Sequence, residues 1–479
     1  MYNRRAIVWF RQDLRVHDNE ALIDALKSAR EVVPVYVFDN RVFGGKTRFG
    51  FPKTDKFRAK FIIESVTALR NELKALGSDL YVRIGEPEQV IFELAHEIKS
   101  GWVFCNRERT QEELDVQDNL EKRLWTIGQE IRYSRGKMLY YTADLPFPIT
   151  HTPDSFTQFR KEVERYVPVR EPLPAIEEQF PGLSLTLDFG KIPSLEDFAL
   201  SDFKPDSRAV LHFRGGEQEA LERLRHYLWE SREIESYKER KNELMGSNYS
   251  SKFSAWLAQG CLSPKMIYHE LKRFEADYGA NESTYGLFFE LLWRDFFRLI
   301  GKKYENKIFQ KGGIKAEPDP NLKDDFDKLQ TWIAGQTGVP FVDANMREIS
   351  QTGFMSNRGR QNVASFLVND LKVNWQLGAD YFESILIDYD PCSNYGNWNY
   401  IARVGTDPKE NRYFNILAQA KRYDPDGTYI RLWLPELNRL PREKIHQPDQ
   451  LSFEEQETFH LKIGNDYPMA IVNTSDWVQ

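Results

Sequence analysis

The run AIVWF at residues 6–10 opens the series that decides the fold, because four more like it follow: VVPVYVF at 32–38, DLYVRIG at 79–85, GWVFCN at 101–106 and EIRYSRG at 130–136. Each reads as a short apolar strand. Between them, residues 18–29, 54–77, 86–99 and 111–128 carry apolar side chains at helical spacing. Five strands joined by four helical crossovers predict an α/β domain over residues 1–136, built on a parallel doubly wound sheet.

Beyond it, residues 137–210 lose the alternation and collect proline, as in DLPFPITHTPD and VPVREPLPAIEEQFPG. Such a stretch reads as an interdomain connector rather than a packed layer. From GGEQEALERLRHYLWES at 215–231 the helical period returns and persists, so residues 211–479 are expected to form an all-α domain with a short irregular tail.

Charge and cysteine usage narrow the class. A formal charge of −7 argues against coating nucleic acid by bulk electrostatics and leaves open a local basic patch. Cys105, Cys261 and Cys392 lie far apart with no CxxC or Cys/His spacing, so neither a disulfide framework nor a metal site is expected. The opening MYNRRAIVWF passes from basic residues into a strand without an apolar signal core, and no run reaches bilayer-spanning length. A cytoplasmic protein is expected. An aromatic share of 14% mostly means core packing, but it can also line a large planar cofactor.

The turn after the first strand, RQDLRVHDN, lacks the GxGxxG that brings backbone amides to a pyrophosphate. NRVFGGKT ends like a P-loop, yet Asn40 stands where its first glycine must be, so it reads as a surface turn. In FELLWRDFFRLIG, Glu290, Trp293, Arg294, Phe297 and Arg298 share one helical face; alone, such a face is more often an ion-paired amphipathic helix. SNRGRQNVASF sets Asn357 and Gln361 one turn apart, with Arg358 and Arg360 beside them, and alone fits a solvated helix start. LIDYDPCSNYGNWNY carries two aspartates without metal-ligand spacing, which an Asx turn explains equally well.

The combination says more than its parts. WFRQDLRVHDNEAL, Tyr237, YSSKFSAWLAQGCLSP, FELLWRDFFR, TGFMSNRGRQNVASFLVNDL and LIDYDPCSNYGNWNYIA follow one another in the order found in cryptochromes and photolyases, over nearly the whole length. GFMSNRGRQNVASF and DYDPCSNYGNWNYIARVGTDPKENRYF resemble the DASH branch.

That resemblance implies FAD folded inside the helical domain, held by Tyr237 and by Ser250, Ser251, Lys252, Phe253 and Ser254 near its phosphates and ribitol. Arg360 and Asp388 match an ion pair beside the isoalloxazine, and Asp390 and Asn394 match positions at its edge and N5. Glu290, Trp293 and Asn357 match residues that hold a flipped cyclobutane pyrimidine dimer, opened by light-driven electron transfer. Gln361 stands where methionine is usual in double-strand photolyases and Tyr400 where a second tryptophan is usual. A less stacking pocket repays less of the cost of extruding a base, so single-stranded DNA is the expected substrate. Arg294, Arg298 and Arg358 are candidate DNA contacts. No histidine occurs between His269 and His446, so the paired histidines of six-four photolyases are missing.

Trp398 and Trp375 match the inner members of the family's electron-transfer chain; Leu322 falls at the third position, which leaves Trp332 or a tyrosine as substitute. A methenyltetrahydrofolate antenna is implied, with Glu112 and Glu113 near the pterin-contacting position. Helix N-terminal acidity explains those two carboxylates as well. A monomer is expected. The rival reading is a blue-light photoreceptor, for which a long C-terminal extension would be the marker.

Overall fold

The computed structural model describes residues 5–176, 179–406 and 413–478. The run DPKENR at 407–412, part of the DASH-like motif, lies outside the described residues.

Five parallel strands, β1 (Arg5–Phe10), β2 (Glu31–Asp39), β3 (Tyr81–Gly85), β4 (Trp102–Asn106) and β5 (Glu130–Ser134), form one sheet in the order β3-β2-β1-β4-β5. Val8 of β1 pairs with Pro34 on one side and Phe104 on the other. Alternation along β1 and β2 sorts the side chains into two cores. Ile7, Trp9, Val33, Val35 and Val37 pack under α3 (Pro87–Ile98) and α4 (Gln111–Trp125), whereas Ala6, Val8, Phe10, Tyr36 and Phe38 join the main core with α1 (Glu20–Ser28) and α2 (Lys56–Ala75). A parallel sheet needs both faces covered, and here both are. The chain turns from one direction of winding to the other at β1, so the carboxyl ends of β1 and β4 flank the switch point where such sheets place their ligands.

The connector stretch holds more structure than its proline content suggests. Helix α5 (Phe156–Tyr166) buries Phe156, Phe159 and Val163 along one face. It packs that face on the long helix Glu282–Tyr304 and so forms part of a layer.

The C-terminal unit is helical throughout. The elements that shape the site are α6 (Glu217–Arg225), α7 (Ser254–Gln259), α8 (Glu282–Tyr304), α9 (Phe326–Ile333), α10 (Asn357–Ser365), α11 (Trp375–Ile385) and α12 (Pro391–Ile401). Two glycines bring α8 and α12 together: a Cβ on Gly396 would stand 2.4 Å from the Phe297 ring, and one on Gly301 would stand 2.9 Å from the Cys392 sulfur. Among the described residues, no helix is long and apolar enough to cross a membrane.

Candidate functional site

A cavity opens where α10, α11 and α12 converge. Asn357, Arg360, Gln361, Asp388, Asp390, Asn394, Trp398 and Tyr400 all line it, with Phe382, Tyr389, Ser393 and Asn397 among the remaining walls. Together they surround about 740 Å³ of space, mouth included. Ser356 caps α10, its Oγ accepting from the Gly359 N–H at 3.0 Å, which starts that helix at Asn357. Asn357 and Gln361 then face the same opening, as their spacing predicts.

Arg360 donates from Nη2 to Asp388 Oδ2 at 2.8 Å and from Nε to the Met355 carbonyl at 2.9 Å. The other oxygen of Asp388 is buried without a partner. A buried acceptor left empty in a cavity wall calls for a donor from whatever fills the cavity. Asp390 is doubly engaged: Oδ1 caps α12 by accepting from Ser393 N at 2.8 Å, and Oδ2 accepts from Arg298 at 3.1 Å. Burial acts to raise its pKa, but Arg298 and Arg294 outweigh burial and hold it below the usual carboxylate value. Asn394 donates its amide to the Ala379 carbonyl at 3.0 Å, so its side-chain oxygen is the end left for a ligand.

Glu290, Trp293 and the phosphate-loop candidates are not among the residues that line this cavity. Lys241 donates to Glu290 at 3.0 Å. Trp293 meets Tyr400 at 5.9 Å between ring centroids with the planes at 81°, so the two rings form a corner. The far face of Trp293 is covered by Phe156, stacked at 3.7 Å and 7°. Phe354 links the Ser250–Ser254 loop to the cavity, with Lys252 Nζ 5.7 Å and Arg360 Cζ 5.4 Å from its ring. Within that loop Lys252 and Phe253 are buried, Ser250 and Ser251 half-buried and Ser254 exposed; Tyr237 is buried against Gly286.

The three arginines expected to face DNA do not form a patch. Arg298 is 3% exposed and bridges Asp390 and Glu108, the latter at 3.3 Å, so its charge is spent inside the protein. Arg294 donates to the carbonyls of Lys137 (2.8 Å) and Leu257 (3.2 Å). Arg358 donates to Asn242 at 2.9 Å and lies over Tyr423. Helical spacing had put Arg294 and Arg298 beside Trp293, but spacing does not tell which neighbours a face meets.

Around Trp398 the packing is tight. Gly378 of α11 lies so near that a Cβ there would stand 2.3 Å from Trp398 Cη2. Phe382 meets Trp398 at 5.2 Å and is stacked on Trp332 at 6.1 Å and 19°; this bridging ring had no signal in the sequence. Trp332 is fully buried, as is Trp375, whose Nε1 donates to the Lys311 carbonyl at 3.0 Å. Leu322 is buried as well.

At the sheet's switch point the two acidic candidates part. Glu113 turns inward, accepting from Thr110 Oγ1 at 2.7 Å in a capping box at the start of α4 and from Gln12 at 3.3 Å. Glu112 points out and pairs with Lys53. Among the described residues, no cluster of His, Cys, Asp and Glu could hold a metal ion.

Comparison with known proteins agrees with this layout. Residues 6–178 match the family model for DNA photolyase, and residues 287–479 match that for the FAD binding domain of DNA photolyase. The chain is 49% identical to a cryptochrome DASH of Gloeobacter violaceus over 99% of its own length and 94% of the relative's. It is 46% identical to a cryptochrome DASH of Xenopus laevis over 99% and 91%. The crystal structure of a Synechocystis cryptochrome superposes with a TM-score of 0.96 at 48% identity, covering 100% of this chain and 98% of that one. A class III photolyase from Agrobacterium tumefaciens superposes with a TM-score of 0.84 at 27% identity, covering 100% and 96%.

Proposed function

Because the chain belongs to the cryptochrome/photolyase family and to its DASH type, we propose that it is a light-driven FAD enzyme that splits cyclobutane pyrimidine dimers, chiefly in single-stranded DNA. The carrying observation is the corner of Trp293 and Tyr400, which stands against a cavity whose wall holds the unpartnered Asp388 oxygen.

The residues fit a flavin. The empty acceptor of Asp388 would suit a ring N–H, Arg360 fixes that carboxylate, and the Asn394 side-chain oxygen would meet a flavin without adding a negative charge. Reduced FAD, when bound, supplies on absorbing blue or near-UV light the electron that opens the dimer and takes it back afterwards. The rest is positioning. Trp293 is backed by Phe156 on one face, and Tyr400 stands across the corner from it, so a base would enter from the cavity side. Asn357 and Gln361 line the cavity, and their amides would hydrogen-bond the bases rather than stack on them. A corner with one indole and one phenol gives less stacking than two indoles, and an unpaired strand has less unstacking cost to recover.

Trp398 and Trp375 return electrons to the cofactor, with Trp332 reached through Phe382. A methenyltetrahydrofolate antenna at the switch point near Glu112 and Glu113, and a cytoplasmic location, belong to the same proposal. Tomato carries a relative named cryptochrome DASH, chloroplastic/mitochondrial, 44% identical to this chain.

The test is loss of thymine dimers from matched single-stranded and duplex oligonucleotides by the reduced holoprotein, in blue light and in the dark. Light-dependent repair largely confined to the single strand is expected. Equal rates on both would overturn the strand preference, and no repair with FAD bound would favour the photoreceptor reading.

A further inference from the structure

The loop at residues 247–253 has an unusual division of its backbone groups. Three of its carbonyls, those of Ser247, Ser250 and Ser251, accept from the guanidinium of Arg223 at 2.9, 3.1 and 2.9 Å, and the Asn248 side-chain oxygen accepts at 2.9 Å. None of its backbone N–H groups from Ser247 to Phe253 donates to an acceptor elsewhere among the described residues. One side of the loop is thus tied down through its oxygens, and the amides are left over. Amides in excess of carbonyls make an anion-binding concavity.

The charges nearby point the same way. Arg223, on α6, is 7% exposed and all four of its acceptors are neutral. Lys252 is 3% exposed, lies over the Tyr249 ring and donates to Ser250 Oγ at 3.0 Å. Burial, and then Arg223, push its pKa well below the ordinary lysine value. Neither group ion-pairs with a carboxylate in these contacts; Glu348 and Glu243 act on Lys252 from farther off, but burial and Arg223 prevail over them, and a phosphate dianion would supply the partner that the two groups lack.

We propose that Arg223 is the positioning residue for the cofactor's pyrophosphate: it holds the loop by its carbonyls so that the amides and Lys252 are presented to the phosphates of a dinucleotide. The assignment rests on the FAD reading above. Arg223 acts through the loop, its guanidinium being engaged by four loop oxygens. Its fork reaches three carbonyls and an amide oxygen at once, a geometry that lysine cannot reproduce.

The test compares wild type, Arg223→Gln and Arg223→Lys after removal of flavin, titrated with FAD and with riboflavin, which has the same ring system and no phosphate. In Arg223→Gln the dissociation constant for FAD should rise roughly 10- to 100-fold, with that for riboflavin unchanged; Arg223→Lys should fall between. Unchanged FAD affinity in a folded Arg223→Gln or Arg223→Lys protein would overturn the proposal. So would an equal loss for FAD and riboflavin, which marks a collapsed pocket. A wild-type protein that takes up no FAD would instead overturn the flavin reading on which this one rests.

Discussion

Arg298 and Asp390 are joined at 3.1 Å in the interior, and the same guanidinium reaches back at 3.3 Å to Glu108, 190 residues earlier, at the end of β4. Lys137 continues the chain by donating to Glu108. A line of buried alternating charges therefore runs from the sheet to the residue that caps α12 in the cavity wall. Removing Arg298 would take a cationic partner from two buried carboxylates at once, leaving Glu108 to Lys137 and Asp390 to the Ser393 N–H. Arg298→Ala should lower stability by about 3–5 kcal/mol, seen as a large drop in thermal midpoint before any DNA is added. A variant of normal stability with weakened DNA binding would return Arg298 to the surface role.

Glu108 gives the pH dependence of this line. Burial alone would raise its pKa, yet Lys137, Arg11 and Arg298 prevail and hold it at about 2. A carboxylate lowered in the folded state stabilises the fold above its unfolded value, near 4.3, and loses that contribution as pH falls through the folded value. Between roughly pH 4.5 and 2 the wild type should therefore lose stability on this account. Glu108→Gln should be less stable at neutral pH and show a shallower acid limb in denaturant titrations.

The ring corner yields a gain-of-function test. Tyr400→Trp, alone and with Gln361→Met, should raise repair of duplex DNA several-fold, an indole adding about 1 kcal/mol of stacking, and change single-strand repair little. The readout is the duplex to single-strand rate ratio under blue light. An unchanged ratio in the double variant would detach strand preference from these two positions.

For the electron-return path, Trp398→Phe should abolish photoreduction of bound flavin, because Trp398 lines the cavity. Trp332→Phe should slow it if electrons pass through Phe382, whose ring lies between the two indoles. Normal photoreduction in Trp332→Phe would exclude that branch and leave Trp375 as the exit.

The sheet was readable because each buried strand announces itself locally in five to nine residues, and the cavity because Asn357 to Gln361 and Asp388 to Tyr400 sit in compact motifs. What escaped was long-range. Nothing near Arg298 says that Glu108 waits for it, so a buried link of an ion-pair line was read as a candidate DNA contact. Proline on either side of α5 hid a helix whose Phe156 covers Trp293. Glu112 and Glu113 are adjacent and chemically alike, and only the capping box at Thr110 shows that one is turned inward. Arg223 lies in an ordinary amphipathic helix, and nothing in its neighbourhood of sequence announces the four loop oxygens that it holds.

The contact between Gly378 and Trp398 bears on kinetics as well as packing. With α11 pressed against it, the indole has no room to swing, and the space that thermal motion would otherwise sample is filled by backbone. An indole held so firmly would, as an electron donor, need little rearrangement of its own position on giving up an electron. Flavin photoreduction should accordingly continue when the protein is frozen into a glass, and Gly378→Ala, by forcing the ring aside, should make the same step sensitive to cold.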